Sequence, residues 1–333
     1  MEIRKRLCRL HIGAPKTGST AIQAFCAENR AALLARGVLY PDASLRGFGH
    51  HDLAFLLAGG YPPWATPQPR TLDELLADLA RSVTGHDGDV LLSSENFYLL
   101  ADAAVVRAAL ERCGLLDGRQ ARVMVYLRRQ DEAHASWYNQ TIKAQGYAHT
   151  FEECLAGFAG LFDYQAMLRP WAQAFGPRNI EVRLYEPANL PGGDIRLDFL
   201  AALGLAVDGF DLPPKRPNTE IGPDLLEFQR LVNCLPLSHQ EKRRFHRQLM
   251  ELSARADGGD LFAHGSPLGL ARRREIIAAH APGNAAVARQ FLGRENLFAP
   301  LDETAAPPLV QGGLSVEKLA SIMGWLLIQN AVD

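Results

Sequence analysis

The chain has 333 residues, 47% of them hydrophobic, with 35 lysines and arginines against 37 aspartates and glutamates. That is enough apolar material for a large core. The nearly cancelled charge excludes a whole-surface field for bulk nucleic acid or anionic membrane, so any anion must be met locally.

No run of about 18 uninterrupted apolar residues offers a spanning helix. The opening stretch MEIRKRLCRLHIG leads into a strand rather than into an apolar leader segment with a cleavage site. A cytoplasmic enzyme with no nucleic-acid partner is the expectation. Cys8, Cys26, Cys113, Cys154 and Cys234 are scattered without a C-x-x-C pair. His50 and His51 are adjacent, but no metal-ligand spacing surrounds them, so neither a disulfide framework nor a metal cofactor is expected.

Strand-like runs fall at 7–12, 89–93, 122–127 and 179–185. Between them, helical spacing marks 20–37, 72–83, 103–114 and 163–176, with Gly37 placed to end the first helix. Such alternation predicts an α/β fold, a parallel sheet flanked by helices in three layers. Proline and glycine cluster at 59–69, a loop long enough to be functional. From 223 onward the strand pattern gives way to helical segments at 223–235, 238–256, 283–293 and 315–331. The expected organisation is an α/β core over 1–222 and a helical C-terminal region over 223–333 packed on it. The last amphipathic helix is expected to pack on its own core, and oligomeric state is not legible.

The stretch LHIGAPKTGST, residues 10–20, joins the first strand to the first helix. Gly13 and Gly18 keep the spacing of the nucleotide loop G-x-x-x-x-G-K-[ST], but Ser19 stands where that loop has its lysine, and Lys16 lies inside the turn. A glycine turn before a helix presents backbone N–H groups and the positive end of the helix dipole to an anion. Thr17, Ser19 and Thr20 add hydroxyls, and Lys16 adds a point charge.

These residues resemble the sulfotransferase family, whose donor loop reads P-K-[TSA]-G-[ST]-[TS]; PKTGST at 15–20 matches it. A second family element, R-x-P-x-x-x-x-x-S, is similar to the segment from Arg128 to Ser136 after strand 122–127. Gln130 replaces its proline, and Arg129 is an alternative for the arginine. The resemblance implies a P-loop-like sulfotransferase fold and 3′-phosphoadenosine 5′-phosphosulfate (PAPS) as donor. Lys16, Thr17, Gly18, Ser19 and Thr20 would surround its 5′-phosphosulfate, and Arg128 and Ser136 its 3′-phosphate. By the same resemblance Tyr185 lines the adenine pocket, and Arg216, with Lys215, reaches the 3′-phosphate from a later loop.

The reaction expected is transfer of a sulfuryl group to a hydroxyl or amine of an acceptor such as a carbohydrate, glycolipid or small molecule, leaving 3′,5′-adenosine bisphosphate (PAP). A sulfuryl group carries a single negative charge, so no metal is expected. Lys16 would stabilise the leaving oxygen. Two candidates stand for the base: Glu95, at the end of strand 89–93, and then His51, or His50, with Asp52 as orienter. An imidazole titrates in the range a base needs at neutral pH, whereas a carboxylate in that role needs an unusual setting or an acidified acceptor. The competing readings are a P-loop small-molecule kinase and a non-catalytic nucleotide-binding assembly protein.

Overall fold

The computed structural model describes residues 5–62, 64–214, 220–256, 261–262, 265–304, 309–310 and 314–330. Lys215 and Arg216 lie outside the described residues. In chain order the elements are β1 (Arg6–His11), α1 (Ser19–Glu28), α2 (Arg30–Ala35), β2 (Val38–Leu39), α3 (His51–Leu57), α4 (Leu72–Val83), β3 (Asp89–Ser93), α5 (Ala104–Arg112), β4 (Arg119–Leu127), α6 (Gln130–Gln145), α7 (Phe151–Gly157) and α8 (Tyr164–Phe175). Then follow β5 (Ile180–Leu184), α9 (Ile195–Leu203), α10 (Pro223–Asn233), α11 (His239–Lys242), α12 (His246–Ala256), α13 (Leu270–Val287) and α14 (Val316–Asn330).

All the strand pairings are parallel, in the order β2-β3-β1-β4-β5. Leu10 of β1 sits opposite Leu92 of β3 and Val123 of β4. The expected α/β class with a parallel sheet flanked by helices is therefore the observed one, and helices dominate the C-terminal part. Among the described residues no helix is long and apolar enough to cross a membrane.

Close packing divides the chain into two compact units, Met1–Arg128 with Asp163–Lys215 and Pro282–Phe298, and Arg129–Phe162 with Arg216–Ala281 and Ala299–Asp333. This differs from a single cut at 222/223, because each segment joins the core that its apolar face meets. In the first unit Ile22 and Phe25 of α1 and Phe199 and Leu203 of α9 cover Leu91, Met124 and Tyr126 of the sheet. Strand alternation turns the buried Val123, Val125 and Leu127 to the opposite face, where α8 packs on β4 and α5. Each such large side chain contributes about 1.5–3 kcal/mol through burial. In the second unit Tyr138 and Ile142 of α6 join Phe151, Leu225, Phe228, Leu249, Ile276 and Ile322 in a separate core. That core draws α6 and α7 to the C-terminal helices.

Polar ties sit inside each unit. In the first, Asp198 of α9 accepts both Arg183 Nε and Nη2 at 2.7 Å and the Tyr126 hydroxyl at 2.7 Å. Burial alone would raise the Asp198 pKa, but the hydrogen bonds from Arg183 and Tyr126 outweigh it and hold it below the ordinary value. In the second, Asp131 is fully buried and meets Arg129 Nε at 2.7 Å and Arg273 Nη1 at 2.8 Å. Here too burial pushes up, and the Arg129 and Arg273 bonds and charges win, lowering the pKa.

Local chemistry explains where the elements depart from expectation. The helix expected over 20–37 breaks at Asn29, whose amide donates to Phe25 O and Asp211 O and accepts from Asp211 N. Gly37, at φ 79°, follows the end of α2 as expected. The segment 238–256 forms α11 and α12 rather than one helix, and the helix anticipated at 283–293 starts earlier, at Leu270, and runs through Pro282.

Candidate functional site

The loop at 13–18 follows β1, whose edges are paired on both sides. Ile12 N–H still bonds Met124 O at 2.9 Å, and the chain then leaves the sheet. Three residues in the turn adopt left-handed backbone, Gly13 at φ 45°, Lys16 at φ 65° and Gly18 at φ 81°. For lysine this conformation costs on the order of 1 kcal/mol, strain of the kind stored where a loop is held for function. Thr17 is fully buried, and its hydroxyl donates to Ala14 O at 2.6 Å. Its proton thus closes the turn instead of reaching outward. Gly18 caps α1, and its carbonyl accepts from Ala21 and Ile22. The first N–H groups of α1 have no partner within the helix by geometry.

Ser19 is the most telling residue of the loop. It is only 7% exposed, yet among the described residues its hydroxyl has no hydrogen-bond partner. Leaving such a group unpaired costs about 1–3 kcal/mol. A Cβ at Gly13 would lie 2.5 Å from Ser19 Oγ, so only glycine leaves the hydroxyl its space. Thr20 beside it is exposed.

Arg128 follows β4 and belongs to the same unit. Its Nη1 donates to Lys16 O at 3.4 Å, and its guanidinium carbon lies 5.4 Å from the centre of the Tyr185 ring. The Tyr164 hydroxyl donates to Arg128 O at 2.5 Å and fixes the backbone there. Tyr185 extends the β4–β5 pairing, its N–H bonding Leu127 O at 2.7 Å. A Cβ at Gly18 would come within 3.2 Å of both Tyr185 and Ile195, so the ring lies directly over the end of the loop. Lys16 and Gly18 are thus brought together with Arg128 and Tyr185, which lie more than a hundred residues further along the chain. Arg129, which belongs to the second unit, bonds Asp131 and Glu132. Ser136 belongs to the second unit, where its hydroxyl donates to Glu220 Oε1 at 2.8 Å.

The two candidate bases prove to be neighbours. Glu95 Oε2 accepts from Gln23 Nε2 at 2.7 Å and lies 3.9 Å from His51 Nδ1. His51 Nδ1 also faces Ser94 Oγ at 2.7 Å and Asn96 Nδ2 at 2.9 Å. With the amide so oriented Nδ1 can accept from Asn96. Asp52 does not orient this ring; its carboxylate is taken by Arg46 at 2.6 Å, and Ser94 and Asn96 fill that place. Gln23, Ser94 and Asn96 were not singled out in the sequence. Gln23 could have been found, since it stands one turn beyond Ser19 on α1 and so shares its face.

His50 has a structural role. Its Nε2 donates to Pro41 O at 3.0 Å and its Nδ1 accepts from Ser93 N–H at 3.1 Å. Burial outweighs these bonds and pushes its pKa down to about 3. His11, at the end of β1, contacts Ser93 Oγ through Nδ1 at 2.7 Å, and burial lowers it likewise to about 3. Both rings are neutral in the fold, while in the unfolded chain they take up protons below about pH 6.5. Their contribution is therefore complete above that pH and is lost as pH falls from there towards 3. Each ring is expected to cost about 1.4 kcal/mol of stability per pH unit over that window. Imidazole proton resonances of His11 and His50 should stay unmoved down to about pH 5 while urea unfolding midpoints fall; resonances that titrate near pH 6.5 would contradict the burial.

Among the described residues no cluster of three or more histidine, cysteine, aspartate or glutamate side chains could hold a metal ion. No protein-family model matches the chain. An uncharacterized protein of Archaeoglobus fulgidus is 30% identical over 220 residues, which cover 64% of this chain and 56% of that relative. The chain thus spans little more than half the length of the curated relative it matches. Among solved structures, a sulfotransferase from Alicyclobacillus acidocaldarius is similar at a TM-score of 0.42 and 17% identity, over 72% of this chain and 99% of that one.

Proposed function

We propose that this chain is a sulfotransferase that takes its sulfuryl group from PAPS and gives it to a hydroxyl or amine of an acceptor. The observation that carries the reading is the convergence of Arg128 and Tyr185 on a loop whose buried Ser19 hydroxyl lacks a partner. An orphan hydroxyl in a glycine cradle, a lysine inside the turn and an arginine against an aromatic ring make a set of donors suited to a phosphorylated nucleotide. When bound, the donor supplies a sulfur–oxygen bond activated by its phosphate leaving group.

The chain's own residues then divide the work. Lys16, Ser19, Thr20 and the N–H groups opening α1 hold the 5′ end and meet the charge that develops there. Arg128 takes the 3′-phosphate, and Tyr185 offers its ring to the adenine. Glu95 removes the acceptor proton: Gln23 holds Oε2, and the 34% exposed side chain leaves the carboxylate open to an incoming group. His51, with Nδ1 occupied by Ser94 and Asn96, stands beside the carboxylate without a hydrogen bond to it and is not itself the base.

Calorimetry with PAP in the presence of a chelator tests the reading. Binding without added magnesium is the expected result. Failure of PAP to bind, together with binding of ATP only as its magnesium complex, would replace this reading by the kinase.

A further inference from the structure

Helix α14 carries apolar side chains on both of its faces, and its own core uses one of them. Ile322 and Leu326 are buried in the core of the second unit, with Trp325 packed against it. Helices α10 and α12 lie against this side. Trp325 Nε1 donates to Gln248 O at 3.2 Å, the Arg255 guanidinium lies 5.1 Å from the centre of the Trp325 ring, and Lys318 Nζ donates to Asp224 Oδ2 at 2.7 Å. The helix is pinned by packing, a hydrogen bond and an ion pair, so the surface it turns outward is fixed.

A helix whose outer side meets only water carries polar residues there. In α14, Val316, Leu319, Met323 and Leu327 instead recur at spacings of three and four residues, with Ile328 beside them. Val316 is 83% exposed, Leu327 67%, Ile328 63%, Met323 44% and Leu319 41%. Five large apolar side chains on one face form a continuous patch. Ala320 and Gly324 lie among them, and a Cβ at Gly324 would meet nothing within 4 Å. Glu317 supplies a charge at one end of this face.

The pattern is complementary to itself. Two copies of α14 running antiparallel about a two-fold axis at mid-helix set Val316 of one opposite Leu327 of the other, and Ala320 opposite Met323. The small side chain receives the long one, as ridges enter grooves. The two Glu317 carboxylates then stand about 13 Å apart along the axis at 1.5 Å per residue, beyond the screening length of physiological salt. A parallel pair would place them side by side and set Met323 against Met323. Area sets the strength: α14 has 15 residues, so it is about 22 Å long, and its pairing falls short of the roughly 800 Å² per partner of a standard interface. The two-fold axis uses every contact twice, which suits a dimer of micromolar affinity.

We propose that the outer face of α14 is the seat of a second copy of this chain, whose own α14 packs on it antiparallel across a two-fold axis. The inference is independent of the chemistry proposed for the loop at 13–18.

Sedimentation velocity of the full chain from about 1 to about 200 µM tests it. The unaltered protein should pass from monomer to dimer within that range. Leu327→Glu and Val316→Lys should each weaken the association at least tenfold, with unchanged circular dichroism. The double variant Val316→Lys/Leu327→Glu should recover most of it, because antiparallel copies bring each new ammonium to the new carboxylate of the other copy. A chain that stays monomeric throughout, or a dimer indifferent to both single substitutions, would overturn the proposal. A double variant no better than the single ones would overturn the antiparallel register. Flotation with phosphatidylglycerol and phosphatidylcholine vesicles should show no binding; a monomer that binds them and is released by Leu327→Glu would give the face to a lipid surface instead.

Discussion

Lys16→Ala is expected to lower turnover by roughly a hundred- to a thousandfold at saturating donor and acceptor, the loss typical of removing one preorganised donor from developing negative charge. The backbone argues for the assignment as well as the charge. Lys16 holds φ 65° with its carbonyl bonded by Arg128, so the origin of its side chain is fixed by the loop rather than by the ligand. Alanine inherits the same left-handed strain as lysine, so the substitution removes the ammonium while leaving the backbone cost unchanged. Unfolding in urea should therefore be little altered, and the effect should appear in the rate. Lys16→Arg, which keeps the charge on a different geometry, should recover only part of it. A Lys16→Ala enzyme within about threefold of the original rate would remove the lysine from transition-state stabilisation.

Glu95→Gln should cost about a hundred- to ten-thousandfold in turnover, the range of general-base catalysis. The replacement is isosteric, and its amide carbonyl still accepts from Gln23, so the surrounding contacts persist while proton uptake is lost. PAP affinity should not change, because Glu95 faces Gln23 and His51 and not the Arg128–Tyr185 pair. His51→Asn is the comparison that separates the two neighbours. If the imidazole is only a neighbour of the carboxylate, its removal should cost less than Glu95→Gln. A larger loss with His51→Asn, or an unchanged rate with Glu95→Gln, transfers the role of base to the imidazole.

The strands at 89–93 and 122–127 were legible because each carries an apolar run bounded by turns. The strand β2 is two residues long and leaves no periodicity to read. Helix α3 was hidden for a different reason: its capping residue His50 and its first residues, His51 and Asp52, read as chemistry rather than as a helix start. The loop at 13–18 was legible from glycine spacing, and its partner Arg128 from a strand ending before it. What the sequence could not provide was the distance between Glu95 and His51, because the 43 intervening positions carry no pairing rule until β3 is placed beside β1. Nor could it show that the Thr17 hydroxyl is turned inward while the Ser19 hydroxyl is left without a partner.

Serine at position 19 closes a route as well as opening a pocket. A nucleotide-hydrolysing loop carries lysine there, but here the side chain is short and buried, and a Cβ at Gly13 would stand 2.5 Å from its hydroxyl and 3.4 Å from the His11 ring. A lysine at 19 would bring its charge towards a buried position near an imidazole that burial keeps neutral. Ser19→Lys alone would therefore have to meet that desolvation cost before it could restore the other loop chemistry.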